Sequence, residues 1–290
     1  MYEINNENLK ITINPQGAEI LSIFSYKTQL DYLWNGDPTY WPKTSPVLFP
    51  IVGGLKEESY QYKGNTYHLG RHGFGRESLY EVTNQTKTSI TFTLTTNEVT
   101  FKVYPFQFKF QVTYEITDNK LRVTYQVENM DSQEDLFFSV GAHPAFKVPL
   151  VKGTAFTDYH LLFGEKETVG RYPINKEGLI ENTSTPLLID SQTLPLTREL
   201  FSNDALVFKD LTSNSISIVS PKTIHGLKVT FDGFPYMGIW QAPNADFVCL
   251  ESWCGLGDTV DTTSQLNEKE GINTLQPGKV FNRTWSVEVF

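Results

Sequence analysis

Strict alternation of apolar and polar side chains is the feature of this sequence that most restricts its fold. Across Phe108–Thr117 and again across residues 121–127, every second residue is apolar and the residues between them are polar. A repeat of two places the apolar side chains on one face of an extended strand, whereas a helix needs a repeat of about 3.6. The polar pair Asp118-Asn119 separates the two runs, so we predict an antiparallel hairpin there.

Similar short runs recur along the chain, and helical periodicity is nearly absent. Clusters of Gly, Pro, Asn and Asp separate them and favour turns. The runs cover residues 9–13, 90–95, 215–219, 227–231 and 285–289. Strands of the same style occur on both sides of the irregular segment 164–195, which we expect to be a surface excursion. The pattern predicts one all-β domain spanning residues 1–290, built from two packed, extensive antiparallel sheets.

Charge and composition disfavour several classes of function. The formal net charge of −9 would repel nucleic-acid phosphates and anionic membrane surfaces, so neither is expected as a partner. The first residues carry neither a basic stretch nor an apolar run, and no apolar segment is long enough for a membrane span. Cys249 and Cys254 lack the spacing of a zinc site or of a disulfide framework. We therefore expect a cytoplasmic protein with free thiols.

Two segments display a histidine on a backbone that exposes it. In Leu69-Gly-Arg-His-Gly-Phe-Gly-Arg76, three glycines within six positions prevent a stable helix, so we expect Arg71 and His72 on a loop. In the second segment, His143 is followed by Pro144, which cannot donate to a sheet ladder and biases His143 toward extended backbone. A strand should end at this point, and a histidine at a strand end is well placed to face a cleft.

A third segment, Phe247-Val-Cys-Leu-Glu-Ser-Trp-Cys254, places Glu251 in an almost wholly apolar strand. A carboxylate in such a run is costly to bury unless it is hydrogen-bonded or functional. Desolvation beside Trp253 would raise the pKa of this carboxyl above its ordinary value of about 4.3 and make it a better base. Glu251 is therefore a candidate for proton transfer.

Each of these residues also has a structural interpretation. A histidine beside Gly or Pro often has only a local structural role, and a buried Glu is often one half of an ion pair. Two histidines and a glutamate also form zinc triads, but Gly70 spoils the helical spacing that His68 and His72 would need. We expect no metal site, and we assign structural roles to His68, His160 and His225.

Together with several earlier motifs, the three segments resemble the aldose 1-epimerase (mutarotase) family, and most closely its branch of LacX-type proteins and hexose-6-phosphate mutarotases. The resemblance covers nearly the whole chain. Its motifs, in order, are Gln16-Gly-Ala-Glu-Ile-Leu-Ser-Ile23, Tyr32-Leu-Trp-Asn-Gly-Asp37, Tyr40-Trp-Pro42, Leu48-Phe-Pro-Ile-Val-Gly53 and the His-Gly-Phe-Gly-Arg run that starts at His72. The resemblance implies a large antiparallel β-sandwich of the galactose-mutarotase type, in agreement with the strand pattern.

The resemblance also implies an isomerase that interconverts the α and β anomers of an aldohexose or hexose phosphate without a cofactor. Glu251 matches the general base of the family and His143 its general acid. His72 matches a second histidine that binds and polarises the sugar near its ring oxygen. Mutarotation removes the proton of the anomeric hydroxyl and protonates the ring oxygen, so a base and an acid must act together.

Further residues match substrate-binding positions of the family. Asp204 resembles a position that accepts hydrogen bonds from sugar hydroxyls, although a turn aspartate would look the same. Trp240 either lines the pocket or belongs to the core. Lys56 lies about where relatives carry a substrate-binding Arg, but it lacks the bidentate fork of Arg. Together with Arg71 and Arg76 it is compatible with a phosphosugar, because guanidinium groups bind phosphate oxygens bidentately.

Two other functions fit parts of this pattern. A carbohydrate-binding or sensing protein without turnover could keep the same pocket, but it would be expected to lose a proton-transfer residue, and all three are present. A glycosidase usually relies on paired carboxylates, and only Glu251 is prominent here. The expected partner is therefore a small sugar or sugar phosphate, and the sequence leaves open which of the two it is.

Overall fold

The computed structural model describes residues 1–290 and is built mainly from antiparallel strands, which confirms the all-β prediction. In chain order the strands are β1 (Tyr2–Asn5), β2 (Leu9–Asn14), β3 (Glu19–Ser25), β4 (Leu30–Asp31), β5 (Val47–Leu48), β6 (Ser59–Tyr62), β7 (Asn65–His68), β8 (Glu81–Gln85), β9 (Ser89–Thr95), β10 (Phe108–Thr117), β11 (Lys120–Asn129), β12 (Leu136–Phe138), β13 (Val140–Ala142), β14 (Ala145–Lys147), β15 (His160–Arg171), β16 (Thr185–Pro195), β17 (Leu206–Phe208), β18 (Ser215–Ser220), β19 (Thr223–Thr230), β20 (Tyr236–Trp240), β21 (Phe247–Cys254), β22 (Asn273–Leu275) and β23 (Val280–Val289).

Helices are few and short. They are α1 (Glu98–Val103) and the 3-10 helices Lys56–Glu58, Gly75–Glu77, Phe156–Asp158, Arg198–Phe201 and Leu266–Glu268. None of them has the length and apolar character that crossing a bilayer requires.

The largest sheet has nine strands in the order β16-β15-β18-β19-β23-β11-β10-β9-β8. β10 and β11 form the predicted hairpin, in which Phe108 pairs with Asn129 and Thr117 pairs with Lys120. Asp118 occupies the tight turn with a φ of 52°. Buried and more exposed residues alternate along both strands, as the repeat of two in the sequence requires.

A second sheet has six strands and carries β21 at its centre. The order is β17-β20-β21-β13-β5, and β14 also pairs with β21. β21 is buried along its whole length. Val248, Leu250 and Cys254 belong to a main core of 63 buried residues. Because successive side chains of a strand point to opposite faces, Glu251 and Trp253 face away from Leu250, and both line the cavity described below.

The main core joins the two large sheets. Phe49, which follows β5 of the six-stranded sheet, stacks on Phe110 of the nine-stranded sheet with ring centroids 4.4 Å apart. A four-stranded sheet (β1-β2-β3-β4) and two two-stranded sheets (β12-β22 and β6-β7) complete the architecture. Two large sheets that share one apolar interior form a β-sandwich, as the sequence predicts.

The segment 164–195 lies at the surface and is irregular, as expected, but it is not an excursion from the sheets, since most of it forms strands. β15 and β16 form a long antiparallel hairpin at the edge of the nine-stranded sheet. Only residues 172–184, which connect them, lie outside the strands. The register shifts between Leu162 and Glu167 and again on both sides of Val169. Each bulge interrupts the repeat of two, so the pattern that identifies a strand is lost from the sequence.

Candidate active site

A cavity with a volume of about 480 Å³ lies on the Glu251 side of β21. A volume of this size suits a small-molecule ligand. Seven of the eight expected site residues line the cavity, namely Arg71, His72, Arg76, His143, Asp204, Trp240 and Glu251. The fold therefore brings together side chains from segments that are far apart in the sequence.

Glu251 lies near the middle of β21 and is almost completely buried, with 2% of its surface exposed. Burial raises the pKa of its carboxyl well above the ordinary value, and the negative charge of Asp204 raises it further. This direction agrees with the expectation from the apolar strand around Glu251. A carboxylate in such an environment is a stronger proton acceptor than one in water.

Two glycines make room for Trp253 beside Glu251. Gly141 pairs with Trp253 across β13 and β21, and a Cβ atom on Gly141 would lie 2.7 Å from Cδ1 of the indole. A Cβ atom on Gly238 would lie 2.3 Å from the Cζ2 atom. Both distances are shorter than a van der Waals contact, so the indole keeps this position only because both neighbours lack a side chain.

His143 occupies a break between two strands, as Pro144 predicts. β13 ends at Ala142 and β14 begins at Ala145. The buried imidazole approaches the carboxyl of β21, and its Nε2 atom lies 3.3 Å from Oε2 of Glu251. This separation is at the long end of hydrogen-bond distances, so a small movement of either group would let them exchange a proton.

Aromatic rings surround the His143–Glu251 pair and remove it from water. Trp41 stacks on the His143 ring with centroids 5.0 Å apart, and Trp240 meets the same ring edge-on at 5.7 Å. Burial lowers the pKa of His143 to about 3, and the charges of nearby arginines act in the same direction. Because desolvation disfavours the charged form of each group, the pair is most stable when it holds one proton in total, and less stable with none or two.

His72 lies on the glycine-rich loop with a φ of 69° and is held by Gly53. The Gly53 amide donates to Nδ1 of His72 at 3.1 Å, and the His72 amide donates to the Gly53 carbonyl at 2.8 Å. An accepting Nδ1 carries no proton, so neutral His72 is protonated at Nε2. Burial lowers the pKa of His72 well below its ordinary value, and the positive charge of His143, when protonated, lowers it further. His72 therefore offers an Nε2–H donor.

Charged side chains form another part of the lining. Nη1 of Arg71 lies 3.9 Å from Oδ2 of Asp204, and both side chains are partly exposed. Asp204 follows the helix Arg198–Phe201 with a φ of 69°, so it is both a turn residue and a cavity residue. Nε of Arg76 is buried without a hydrogen-bond acceptor, and desolvation lowers the pKa of this guanidinium. Its nearest carboxylate oxygen is Oε1 of Glu77 at 3.7 Å, so Nε of Arg76 has an ion-pair partner but no hydrogen bond.

Comparison with known proteins identifies the family. The sequence profile described as Aldose 1-epimerase matches residues 1–287. The chain belongs to the aldose 1-epimerase family. Aldose 1-epimerases are isomerases, so the predictions of the family and of the enzyme class are confirmed.

Individual relatives of the aldose 1-epimerase family agree with this assignment. Protein LacX from Lactococcus lactis subsp. lactis, in its plasmid and chromosomal forms, is 32% identical over 297 residues, covering 99% of this chain and 98% of LacX. The structure of a galactose mutarotase related enzyme from Lactobacillus acidophilus has a TM-score of 0.94 and 37% identity, covering 100% of this chain and 97% of that chain. A galactose mutarotase-like protein from Lactobacillus casei ATCC 334 has a TM-score of 0.92 and 30% identity, with both chains covered to 100%. The predicted LacX-like character and fold are confirmed.

Lys56 is the expected site residue that does not line the cavity of this aldose 1-epimerase family member. Its side chain is exposed, and it starts the 3-10 helix Lys56–Glu58. Only its backbone is tied to the region behind the cavity, because its amide donates to Oδ2 of Asp258 at 2.9 Å. The geometry gives no support to a role of the Lys56 ammonium group in binding a ligand.

Several residues of the epimerase cavity were not predicted as site residues. Trp41 comes from the loop between β4 and β5, and Ile174, Gly178 and Ile180 come from the loop between β15 and β16. Gly178 packs against Arg71, since a Cβ atom there would lie 2.9 Å from Nη2. Residues in irregular segments have no periodicity that marks them as a pocket wall. Trp41 lies in a motif shared with the family, and that was the one available signal.

His143, Glu251 and Cys249 are the residues that could together hold a metal ion in this epimerase fold. One donor atom from each lies within 4.8 Å of the other two. A cysteine binds a metal as the thiolate, but Cys249 is fully buried, and burial raises the pKa of its thiol well above the ordinary value. Cys249 is also not part of the cavity lining. The chemistry of this thiol therefore opposes metal binding.

Proposed function

We propose that this protein catalyses the interconversion of the α and β anomers of an aldohexose. The observation that carries the proposal is the buried pair formed by His143 and Glu251, whose Nε2 and Oε2 atoms lie 3.3 Å apart beside a cavity of monosaccharide size. Residues 1–290 would act as one catalytic domain, since the main core contains residues from Ile4 to Val289.

In the proposed reaction, Glu251 accepts the proton of the anomeric hydroxyl while His143 donates a proton to the ring oxygen. The ring opens to the aldehyde, the bond between the first two carbons rotates, and closure on the other face reverses both transfers. The pair changes from carboxylate and imidazolium to carboxyl and neutral imidazole, so it holds one proton throughout. Burial favours the form with a carboxyl and a neutral imidazole, so the proton passes from Glu251 to His143 before ring opening, and a turnover needs no proton exchange with solvent.

His72 would act as a hydrogen-bond donor to the sugar. Because the Gly53 amide occupies Nδ1, the Nε2–H group is the one available to polarise the ring oxygen beside His143. The two imidazole centroids lie 5.4 Å apart, so both rings can reach neighbouring atoms of one bound sugar. The lowered pKa of His72 keeps it neutral, so it does not compete for the proton that His143 moves.

The other lining residues would orient the sugar and exclude water. Asp204 would accept hydrogen bonds from sugar hydroxyls. The indoles of Trp41, Trp240 and Trp253 line the cavity and offer apolar surface to the C–H faces of a pyranose ring. Removing water strengthens the electrostatic interactions of the acid–base pair. Lys56 is left out of this proposed binding set because it lies outside the cavity.

A hexose phosphate is a second candidate substrate, and Arg76 is the observation that favours it. Its Nε atom is buried and makes no hydrogen bond, since Oε1 of Glu77 is 3.7 Å away, and Arg71 lies in the same lining. Buried donors are almost always paired, and phosphate oxygens are strong acceptors for guanidinium groups. A phosphate on the sugar would satisfy Arg76 without changing the acid–base chemistry at the anomeric carbon.

A carbohydrate-binding protein without turnover would need the cavity but not the acid–base pair. Proton transfer to and from the sugar is the task that calls for an acid and a base in contact within one desolvated site. The retention of both His143 and Glu251 therefore supports an enzyme over a sensor.

Anomer exchange at equilibrium tests the proposal directly. Exchange NMR of glucose, galactose and glucose 6-phosphate, with and without protein, measures the interconversion rate of each sugar. We expect the protein to accelerate at least one of them, and Glu251→Gln to lower kcat by about 100-fold or more. Binding with an unchanged exchange rate for every sugar would identify a sugar-binding protein instead. Equal rates for the wild type and Glu251→Gln would remove the assignment of the base.

A further inference from the structure

A buried ion pair between Asp258 and Lys269 lies next to the cavity, whose lining includes the preceding residue Gly257. Nζ of Lys269 donates to Oδ1 of Asp258, and both residues are almost completely buried. Two buried charges lose their hydration, and their mutual attraction often fails to recover this free energy. A gain in stability alone therefore does not explain why these two charges are buried together. The other hydrogen bonds of Asp258 indicate a role for this residue.

Asp258 holds both ends of a short turn. Its amide donates to the carbonyl of Gly54 at 2.8 Å, and its Oδ2 accepts from the Lys56 amide at 2.9 Å. Its carbonyl accepts from the amide of Ile180 at 2.9 Å, and Ile180 is part of the cavity lining. One residue thus fixes the turn 54–56 and one wall of the cavity.

The turn 54–56 directly follows Gly53, the residue that exchanges two hydrogen bonds with His72. Gly53 also packs on the backbone of Gly257, because a Cβ atom on Gly53 would lie 2.5 Å from the Gly257 Cα atom. Gly257 precedes Asp258 in the chain. The bonds made by Asp258 therefore keep Gly53 against Gly257 and keep the Gly53 amide aimed at Nδ1 of His72.

We propose that Asp258 is a positioning residue that fixes the orientation and the tautomer of His72 through the hydrogen bond it accepts from the Lys56 amide. Asp258 does not line the cavity and acts through the Lys56 amide and Gly53. Its effect on turnover rests on the proposed function, whereas its effect on the His72 ring does not.

Two double variants separate the hydrogen bond to Lys56 from the ion pair. Asp258→Asn with Lys269→Met removes both charges but keeps a side-chain oxygen that can accept from the Lys56 amide. Asp258→Leu with Lys269→Met keeps a branched side chain of similar shape at position 258, but this side chain has no oxygen to accept from the Lys56 amide. The readout is ¹⁵N NMR of the histidine rings, in which Nδ1 of His72 shifts when it stops accepting a hydrogen bond.

We expect the Asn-containing variant to keep the wild-type His72 resonance and a kcat close to that of the wild type. The Leu-containing variant should shift the Nδ1 resonance and lose about 10-fold to 100-fold in kcat, as expected for a misplaced site residue. Val287→Ala in β23 is the control for lost stability, because Val287 belongs to the main core and does not line the cavity. It should lower the melting temperature and leave the His72 resonance unchanged.

Lys56 variants test the same contact from the protein surface, where folding is less at risk. Lys56→Pro removes the N–H group that donates to Asp258, and Leu55 before it already has the extended backbone (φ −105°, ψ 149°) that a following proline favours. Lys56→Ala removes the side chain and keeps the N–H group, so only Lys56→Pro should shift the His72 resonance. An unchanged resonance in both Lys56→Pro and the Leu-containing variant overturns the proposal. If these variants shift the His72 resonance but the wild type does not catalyse anomer exchange, the positioning role is supported and the proposed function is rejected.

Discussion

Gly238 lies directly opposite Glu251 in the pairing of β20 with β21. The same glycine lies under the indole of Trp253, which lines the cavity beside the carboxyl. The shape of the cavity next to the proposed base is thus set by the absence of a side chain on the neighbouring strand.

Gly238→Ala should therefore lower kcat/KM by about 10-fold or more, because the new Cβ atom would displace Trp253 and the wall next to Glu251. Anomer exchange gives kcat/KM, and tryptophan fluorescence reports the movement of the indole. Gly64→Ala is a matched control: its φ of 77° adds backbone strain, but a Cβ atom there meets no other group within 4 Å. It should cost some stability without changing the rate. Wild-type kinetics for Gly238→Ala would show that this contact does not shape the site.

The one-proton state of His143 and Glu251 predicts an unusual pH profile. Both groups carry a proton only at a pH below the pKa of His143, which burial lowers to about 3. Both groups are deprotonated only at a pH above the raised pKa of Glu251. We expect kcat/KM to stay constant as the pH falls through 6.5, the ordinary pKa of histidine. Circular dichroism at each pH identifies the range in which the protein stays folded. A limb of the profile centred near 6.5 would contradict the proposed role of the pair.

Burial of Glu251 also predicts how stability depends on pH. In the unfolded chain this carboxyl ionises near about pH 4.3, whereas burial keeps it protonated to higher pH in the folded protein. The folded state then binds more protons, so the contribution of Glu251 to the free energy of unfolding falls as the pH rises above that value. Glu251→Gln removes this dependence. Calorimetry should show that its advantage in melting temperature over the wild type is larger at about pH 8 than at about pH 5; an equal difference at both would refute this account.

Arg76→Gln distinguishes a phosphosugar from a free sugar. If phosphate binds the guanidinium of Arg76, whose Nε makes no hydrogen bond in the protein, the variant should raise KM for glucose 6-phosphate by about 10-fold and change KM for glucose much less. Arg122→Gln is the control, because Arg122 is an exposed arginine of β11 whose Nε lies 3.9 Å from Oε2 of Glu115. Equal effects of Arg76→Gln on both sugars would mean that Arg76 does not read a phosphate.

Strands with strict alternation could be predicted from the sequence, and interrupted ones could not. β10 and β11 alternate over their full length and were located together with their turn. β15 and β16 were missed because bulges shift the register, so apolar residues no longer recur at every second position. Helix α1 was missed because it has only six residues, and its main signal is the capping box that starts at Asn97.

The same distinction applies to the candidate site. Glu251 and His143 stand out locally, one as a carboxylate in an apolar strand and the other before a proline that ends a strand. Trp41 and Asp258 have no such local signal, because their importance lies in contacts with residues distant in the chain. Lys56 is the opposite case, since its position in a motif suggested a ligand contact, whereas its side chain is exposed outside the cavity lining.

The irregular hairpin of β15 and β16 also ends the nine-stranded sheet, with β16 as the last strand. β16 contains Pro186 and Pro195, which lack the N–H group of a strand ladder, and Asp190 with a φ of 46°. A strand interrupted in this way offers no continuous row of hydrogen-bonding groups to another chain. The interruptions that hide this hairpin in the sequence therefore protect the protein against edge-to-edge aggregation at high concentration.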